Sequence, residues 1–193
     1  MSERVCPWWL GYFLASPLRR LWQDPGKLLA PYIREGMTVL EPGPGMGFFT
    51  QELARQVGPA GHVIAVDIQP RMLKGLKRRL SNAGLASRVD VRLATEDSLG
   101  LSDVLGKVDF TLAFAMVHEM RDSARFFAEA ARASKPGAHL LLAEPSGHVA
   151  NEKFQKELEE AAQAGFTVVE RPTIGHCQAV ILRKNLPEVP QAS

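Results

Sequence analysis

The fold of this protein is indicated by one stretch of its sequence, Thr38-Val39-Leu40-Glu41-Pro42-Gly43-Pro44-Gly45-Met46-Gly47-Phe48-Phe49-Thr50. The stretch reads as a buried strand, an acidic residue, a glycine-rich turn and the start of a helix. Alternating glycines let the backbone turn sharply and leave no side chain between the turn and a ligand. The free N–H groups at the start of the helix point into the same space and suit an anion. The stretch therefore predicts a nucleotide-binding turn.

The spacing of the glycines separates two classes of nucleotide ligand. A dinucleotide-binding turn follows the pattern G-x-G-x-x-G, in which the pyrophosphate rests on the helix N-terminus. Here the third glycine comes one place early, in Gly43-x-Gly45-x-Gly47, and Phe48 occupies the last glycine position of that pattern. The carboxylate of Glu41 would repel a pyrophosphate but can hold an ammonium or another cationic centre. A P-loop is excluded because no Gly-Lys-Ser/Thr follows the turn.

A second acidic residue follows the next predicted strand. The segment His62-Val63-Ile64-Ala65-Val66 reads as a strand, and Asp67 ends it roughly 20 residues after the glycines. An acid at this position is placed to accept hydrogen bonds from ribose hydroxyls. Together with Glu41, it predicts a nucleoside ligand with a positively charged, amino-acid-like end. S-adenosylmethionine fits that description.

Further segments occur in the same order as in a known family. From Thr38 to about Arg183, the sequence resembles the class I S-adenosylmethionine-dependent methyltransferases, and most closely their small-molecule branch around the quinone C-methyltransferases. The resemblance rests on residues 41–47, 65–67, 108–114, 135–142 and 165–169. It implies an enzyme that uses S-adenosylmethionine, and no metal, to methylate a small molecule. A non-catalytic module that binds S-adenosylmethionine as a sensor is the alternative.

Strands and helices alternate from Thr38 onward, which predicts a mostly parallel sheet with helices on both faces. We expect an α/β fold, a Rossmann-like three-layer αβα sandwich with seven strands, of which the last is antiparallel. Residues 1–36 predict an N-terminal helical appendage, residues 37–184 the cofactor-binding domain and residues 185–193 a flexible tail. Within the appendage, Asp24-Pro25 predicts the start of a helix that ends at Gly36.

The resemblance also implies which residues bind the cofactor. They are Glu41, Gly43, Pro44, Gly45, Gly47, Asp67, Ile68, Thr95, Glu96, Asp97 and Phe114. The acid that contacts the adenine amino group in this family falls at Ala94 here, with Glu96 and Asp97 close behind. One of these two acids can reach the adenine, or the pair can cap the next helix, and the sequence leaves both interpretations open.

The segment after the fourth predicted strand is expected to face the reacting groups. His118 is the candidate catalytic base, because its pKa normally lies near neutrality, although a histidine here can also serve only to order the loop. Met116, His118 and Glu144 are candidates for the acceptor pocket, while the residues after Glu144 can equally form a simple turn. Neither the Asn/Asp-Pro-Pro-aromatic motif of base-amino methyltransferases nor the metal-binding acids of catechol-type enzymes occur in this segment.

The N-terminal segment is rich in aromatic residues at helical spacing. Trp8, Trp9 and Tyr12 can roof the acceptor site as an apolar ceiling, or this face can pack against the core, a membrane surface or a second subunit. Two distant cysteines, Cys6 and Cys177, form no disulfide framework and suit a reducing cytoplasm. The net charge of +2 gives no electrostatic footprint for nucleic acid. We therefore expect a cytoplasmic protein with a small-molecule partner and no stable membrane insertion. The sequence leaves homodimer formation open.

Overall fold

A seven-stranded sheet forms the centre of the protein, and helices cover both of its faces. The computed structural model describes residues 24–187. The strands are β1 (Thr38–Pro42), β2 (His62–Asp67), β3 (Val89–Leu93), β4 (Val108–Phe114), β5 (Ser134–Pro145), β6 (Phe166–Glu170) and β7 (Cys177–Lys184). The α-helices are α1 (Pro25–Leu29), α2 (Thr50–Gln56), α3 (Pro70–Asn82), α4 (Ser123–Ala133) and α5 (Asn151–Gln163). Short 3₁₀ turns occur at Ala86–Arg88, Ser102–Val104 and Val117–Glu119.

The strand order is β3-β2-β1-β4-β5-β7-β6. Strands β1 to β5 pair in parallel, whereas β7 lies antiparallel between β5 and β6. The predicted three-layer fold and the antiparallel last strand are therefore confirmed. The order reverses at β1, because β2 lies on one side of it and β4 on the other. In an open α/β sheet, this switch point is where the carboxyl ends of the strands leave a crevice for a ligand.

The two faces of the sheet are both buried, because neighbouring strand residues point to opposite sides. On β1, Val39 packs with α2 and α3, and Leu40 packs with α4 and α5. Both side chains are fully buried. A near-continuous apolar run is typical of parallel strands covered on both faces, and it explains why Glu41 at the end of the strand is also drawn into the interior.

The predicted helix at Asp24-Pro25 exists but is shorter than expected. The Asp24 carboxylate accepts hydrogen bonds from the N–H groups of Gly26 and Lys27, as its N-cap role requires. The helix α1 ends at Leu29, because Pro31 has no N–H with which to continue the hydrogen-bond ladder. Trp8, Trp9, Tyr12 and the end of the predicted tail lie outside the described residues. Within residues 24–187, no helix has both the length and the apolar character that crossing a membrane requires.

Candidate cofactor-binding site

A cavity of about 720 Å³ opens at the carboxyl ends of β1, β2 and β4, over the switch point of the sheet. Its wall contains ten of the eleven residues that were predicted to bind the cofactor. They are Glu41, Gly43, Pro44, Gly45, Asp67, Ile68, Thr95, Glu96, Asp97 and Phe114. The eleventh, Gly47, is not among the described residues that line it. The topology of the sheet thus brings segments that are distant in sequence to one space.

The three glycines of the turn are required for different physical reasons. All three adopt positive φ angles, of +66° at Gly43, +54° at Gly45 and +85° at Gly47, which side-chain-bearing residues rarely adopt. A Cβ on Gly43 would approach Met116 to 3.0 Å, and one on Gly47 would overlap Leu76. A Cβ on Gly45 would meet no atom within 4 Å. Gly45 therefore leaves its side of the turn open to the cavity, whereas Gly47 serves the packing of the turn on α3.

Glu41 is the buried acid of the site. Only 3% of the residue is exposed, and its Oε2 finds no hydrogen-bond partner among residues 24–187. Burial raises the pKa of the Glu41 carboxyl to about 8, whereas the Thr50 hydroxyl opposes the shift and the negative charge of Asp67 adds to it. A buried carboxylate without a partner is costly, and an opposite charge within a few ångströms would favour its ionised form. The site therefore fits a ligand that brings a cation to Glu41.

Asp67 is held in place by the backbone around it. Its Oδ1 accepts a hydrogen bond from the N–H of Gln69 at 2.8 Å, and its Oδ2 accepts one from the N–H of Gly45 at 3.3 Å. Burial raises the pKa of Asp67 to about 6, although these backbone hydrogen bonds oppose the shift. The charge of Glu119 raises the same pKa further. The Asp67 carboxyl thus joins the end of β2 to the glycine turn and lies on the cavity wall.

The acids after β3 lie at the mouth of the cavity. Glu96 pairs with Arg121, and Asp97 pairs with Arg125 at 2.9 Å, so that both acids connect this segment to the start of α4. Neither acid caps the next helical turn, whose N-cap is Leu101 without a side-chain cap. The capping interpretation is therefore wrong. The arginines lie far away in sequence, so the sequence pattern around the two acids could not reveal these pairs.

Glu129 is a site residue that the sequence interpretation missed. It lies on α4, is 7% exposed and lines the cavity. Its Oε2 accepts hydrogen bonds from the Leu99 N–H at 2.9 Å and from the Ser98 hydroxyl at 3.2 Å. The available signal was its position three residues after Phe126, on the apolar face of the helix. An acid on such a face requires a polar partner, and here that partner is the segment after β3.

The residues predicted to line the acceptor pocket fall into two groups, those that line the cavity and those that do not. Met116 lines the cavity, as does Glu119, which the sequence interpretation did not select. His118 and Glu144 are not among the described residues that line it. They contact one another instead, through His118 Nδ1 and Glu144 Oε2. The hydrogen bond to Glu144 raises the pKa of the His118 imidazole.

Aromatic rings form the apolar side of the cavity. Phe48 meets Phe49 edge to face with ring centroids 5.0 Å apart, and Phe49 meets Phe114 at 4.7 Å. All three line the cavity, together with Met116 and Met120. Among the described residues, no group of three or more His, Cys, Asp or Glu side chains is arranged to hold a metal ion. The cavity thus combines apolar side chains with the carboxyl groups of Glu41, Asp67 and Glu119.

Comparisons with known proteins identify the family that has this fold. Residues 33–185 match the profile of a family described as the methyltransferase domain. The chain belongs to this family. The domain also superimposes on a SAM-dependent methyltransferase from Aquifex aeolicus with a TM-score of 0.82 and 27% sequence identity, over 93% of this chain and 99% of that one. The predicted class I methyltransferase membership is thereby confirmed.

Curated relatives of the methyltransferase domain include ubiquinone/menaquinone biosynthesis C-methyltransferases. The protein from Pasteurella multocida is 31% identical over 58% of this chain and 41% of its own length. The protein from Ectopseudomonas mendocina is 35% identical over 68% of this chain and 50% of its own length. The chain thus spans half or less of these two relatives. The predicted resemblance to the quinone C-methyltransferases is confirmed at the level of the domain.

Proposed function

We propose that the protein transfers a methyl group from S-adenosylmethionine to a small, apolar acceptor by direct displacement. The observation that carries the proposal is the buried carboxyl of Glu41, whose Oε2 has no hydrogen-bond partner among residues 24–187, in the cavity that the open side of Gly45 also lines. A cation on the ligand would give the Oε2 of Glu41 a partner. In this proposal, Asp67 on the cavity wall accepts hydrogen bonds from the ribose, and the segment of Glu96 and Asp97 borders the adenine.

The cofactor, when bound, supplies a methyl group already activated by a sulfonium, so that alignment and exclusion of water lower most of the barrier. The protein contributes the walls that achieve this alignment. Phe49 and Phe114 exclude water, and their ring faces tolerate a neighbouring positive charge. Met116 packs closely on the backbone of Gly43, since a Cβ there would lie only 3.0 Å from it. A catalytic base is needed only where the acceptor must lose a proton.

The apolar wall supports an apolar acceptor. Phe48, Phe49, Phe114, Met116 and Met120 line one side of the cavity. Two relatives are named for ubiquinone and menaquinone biosynthesis, which supports a lipophilic acceptor of small size. Methionine side chains are flexible, so this wall can adapt to acceptors of different shape.

Calorimetry and labelled methyl transfer test this function. We expect the protein to bind S-adenosylhomocysteine and not NAD, and to transfer a labelled methyl group from S-adenosylmethionine into the apolar fraction of a metabolite extract. Tight NAD binding without a response to S-adenosylhomocysteine would refute the cofactor assignment. Binding without transferred label would instead favour the sensor. Label only in the polar fraction would refute the apolar acceptor and leave the methyltransferase activity standing.

A further inference from the structure

The carboxylate of Glu144 binds three groups of the segment that follows β4. Glu144 lies near the end of β5 and is fully buried. Its Oε1 accepts hydrogen bonds from the N–H of Val117 at 2.8 Å and from the N–H of His118 at 3.4 Å. Its Oε2 contacts the His118 ring nitrogen Nδ1. One buried side chain thus holds both the backbone and the imidazole of this segment.

The segment held by Glu144 forms one wall of the cavity. It begins at Ala115, whose φ of 54° lies in the left-handed region that alanine rarely adopts. Met116 and Glu119 line the cavity on either side of the residues that Glu144 binds. Met116 also limits the space beside Gly43. The strained backbone requires support from its surroundings, and a shift of this segment would move the wall.

Helix α5 also contacts this segment. The Lys153 ammonium donates a hydrogen bond to the His118 carbonyl at 2.7 Å. The charges that act on the imidazole are those of Glu144, Glu119, Lys153 and the buried Glu157 of α5. The His118 Nε2 lies 4.0 Å from Glu119 Oε1 on the cavity side. Carboxylates therefore flank the ring on both sides, and one lysine of α5 fixes its backbone.

We propose that Glu144 is a positioning residue that fixes the 115–119 wall of the cavity through Val117 and His118. His118 then acts as a link between Glu144 and this wall and does not take the proton of the acceptor. This inference rests on the proposed function, since it assigns the wall to the acceptor side of a methyltransferase site. It replaces the direct contacts with the acceptor that the sequence suggested for His118 and Glu144.

The two possible roles of His118 give opposite pH dependence. The contact with Glu144 is strongest when the imidazole is protonated, and His118 has a raised pKa. A positioning link therefore weakens as the pH rises through that pKa. A general base must be unprotonated, so its contribution would increase over the same range. The sign of the pH effect separates the two roles without knowledge of the acceptor atom.

Amide hydrogen exchange measures the position of the wall directly. The test compares wild type with E144Q, which keeps the size of the side chain and removes its charge. The matched control is E129Q, because Glu129 is a second buried glutamate that binds a backbone N–H of a cavity-wall segment, that of Leu99. We expect E144Q to lower the protection factor of the Val117 amide about fivefold, because the glutamine amide oxygen accepts this hydrogen bond more weakly than a carboxylate does, and to leave that of Leu99 unchanged. E129Q should do the reverse.

The pH profile supplies the second measurement. In the wild type, the protection factor of Val117 should fall as the pH rises through the pKa of His118, and in E144Q this dependence should be lost. Where E144Q does not fold, H118Q is read in the same way, because it removes only the ring contact. The proposal would be overturned if the Val117 protection factor were unchanged in the variants. It would also be overturned if the rate of labelled methyl transfer rose over this pH range in the wild type and H118Q abolished the transfer. Failure of the wild type to bind S-adenosylhomocysteine would instead refute the proposed function.

Discussion

At the scale of single residues, Glu41 and Gly45 define the site most sharply. Glu41 is a buried acid whose pKa is raised to about 8, so that it is largely protonated at neutral pH. Gly45 combines a left-handed backbone with open space toward the cavity. Glu41 can become negatively charged when a cation binds, and Gly45 leaves space in the cavity for the ligand that carries this cation. Both properties can be tested one substitution at a time.

Cofactor binding should release a proton from Glu41. A cation beside Glu41 favours its ionised form, so S-adenosylmethionine binding at pH 7 should release close to one proton, and E41Q should abolish the release. Calorimetry in two buffers with different ionisation enthalpies measures this number. E52Q is the control, since Glu52 is not among the described residues that line the cavity. If S-adenosylhomocysteine releases the same proton, its ammonium is the partner; if neither ligand releases one, the role of Glu41 is wrong.

Replacement of Gly45 by valine should remove cofactor binding. The left-handed φ of +54° costs a side-chain-bearing residue about 1–2 kcal/mol, and the new side chain would enter the cavity. We expect the affinity for S-adenosylhomocysteine to fall about a hundredfold or more. The control is G84V, because Gly84 has a φ of +67° and equally open surroundings away from the cavity. Both variants should lose similar stability in urea, and equal affinities in the two would show that the site is misplaced.

At the scale of elements, helix α5 carries an acid on the face that packs against the sheet. Glu157 is 2% exposed, and neither of its carboxylate oxygens has a hydrogen-bond partner among residues 24–187. Burial raises its pKa to about 7, and the charge of Glu144 adds to the shift. The packing of α5 on the 115–119 segment thus places two carboxylates close together. Charge on the second of them opposes this packing.

The variant E157Q should therefore stabilise the protein at alkaline pH. The pKa of Glu157 is about 7 in the folded state and lies above its value of 4.5 in an unfolded chain, so its favourable contribution is complete below pH 4.5 and is lost as the pH rises through 7. At pH 8, E157Q should raise the free energy of unfolding on the order of 1 kcal/mol, with little change at pH 5. Urea titrations at both pH values measure this, with the exposed neighbour variant E159Q as control. A loss of stability at pH 8 would contradict the assignment.

At the scale of the whole molecule, folding buries three acids whose ionisation lowers the stability of the folded state. Glu41, Asp67 and Glu157 have raised pKa values of about 8, 6 and 7. Two of the three line the cavity, and the third lies behind its wall. Each one lowers the stability of the folded state as the pH rises through its folded pKa. A cationic ligand can relieve the charges at the cavity and leaves that of Glu157 unchanged.

The unliganded protein should lose stability between pH 5 and pH 8. The sign follows from pKa values that are higher in the folded than in the unfolded chain, since the folded state then holds more protons over this range. S-adenosylmethionine should raise the melting temperature more at pH 8 than at pH 6, because about half of the Glu41 carboxyls are already ionised at pH 8 and fewer protons must be removed. Thermal unfolding at both pH values checks this. An equal or smaller shift at pH 8 would contradict the pairing of Glu41 with the ligand, and E41Q should show no difference.

The local parts of the site could be predicted from the sequence, and the long-range parts could not. The glycine turn and Asp67 were found because turn chemistry and strand ends are local properties. Glu129 was missed because its partner Leu99 lies 30 residues away. His118 and Glu144 were both selected as acceptor residues, yet they face one another across 26 residues. A sequence pattern shows that a polar residue follows a strand but not which neighbour its side chain meets.

The sequence by itself determined where strands and helices follow one another along the chain, and it determined the glycine turn and the two acids beside it. These features depend on apolar periodicity and backbone conformation, which are set by neighbouring residues. Only the tertiary structure decided which polar groups line the cavity and which support it from behind. Glu41 became a buried acid because β1 lies between β2 and β4 and both faces of the sheet are covered. Its altered pKa is a property of that packing, since desolvation depends on atoms that the chain brings together only by folding.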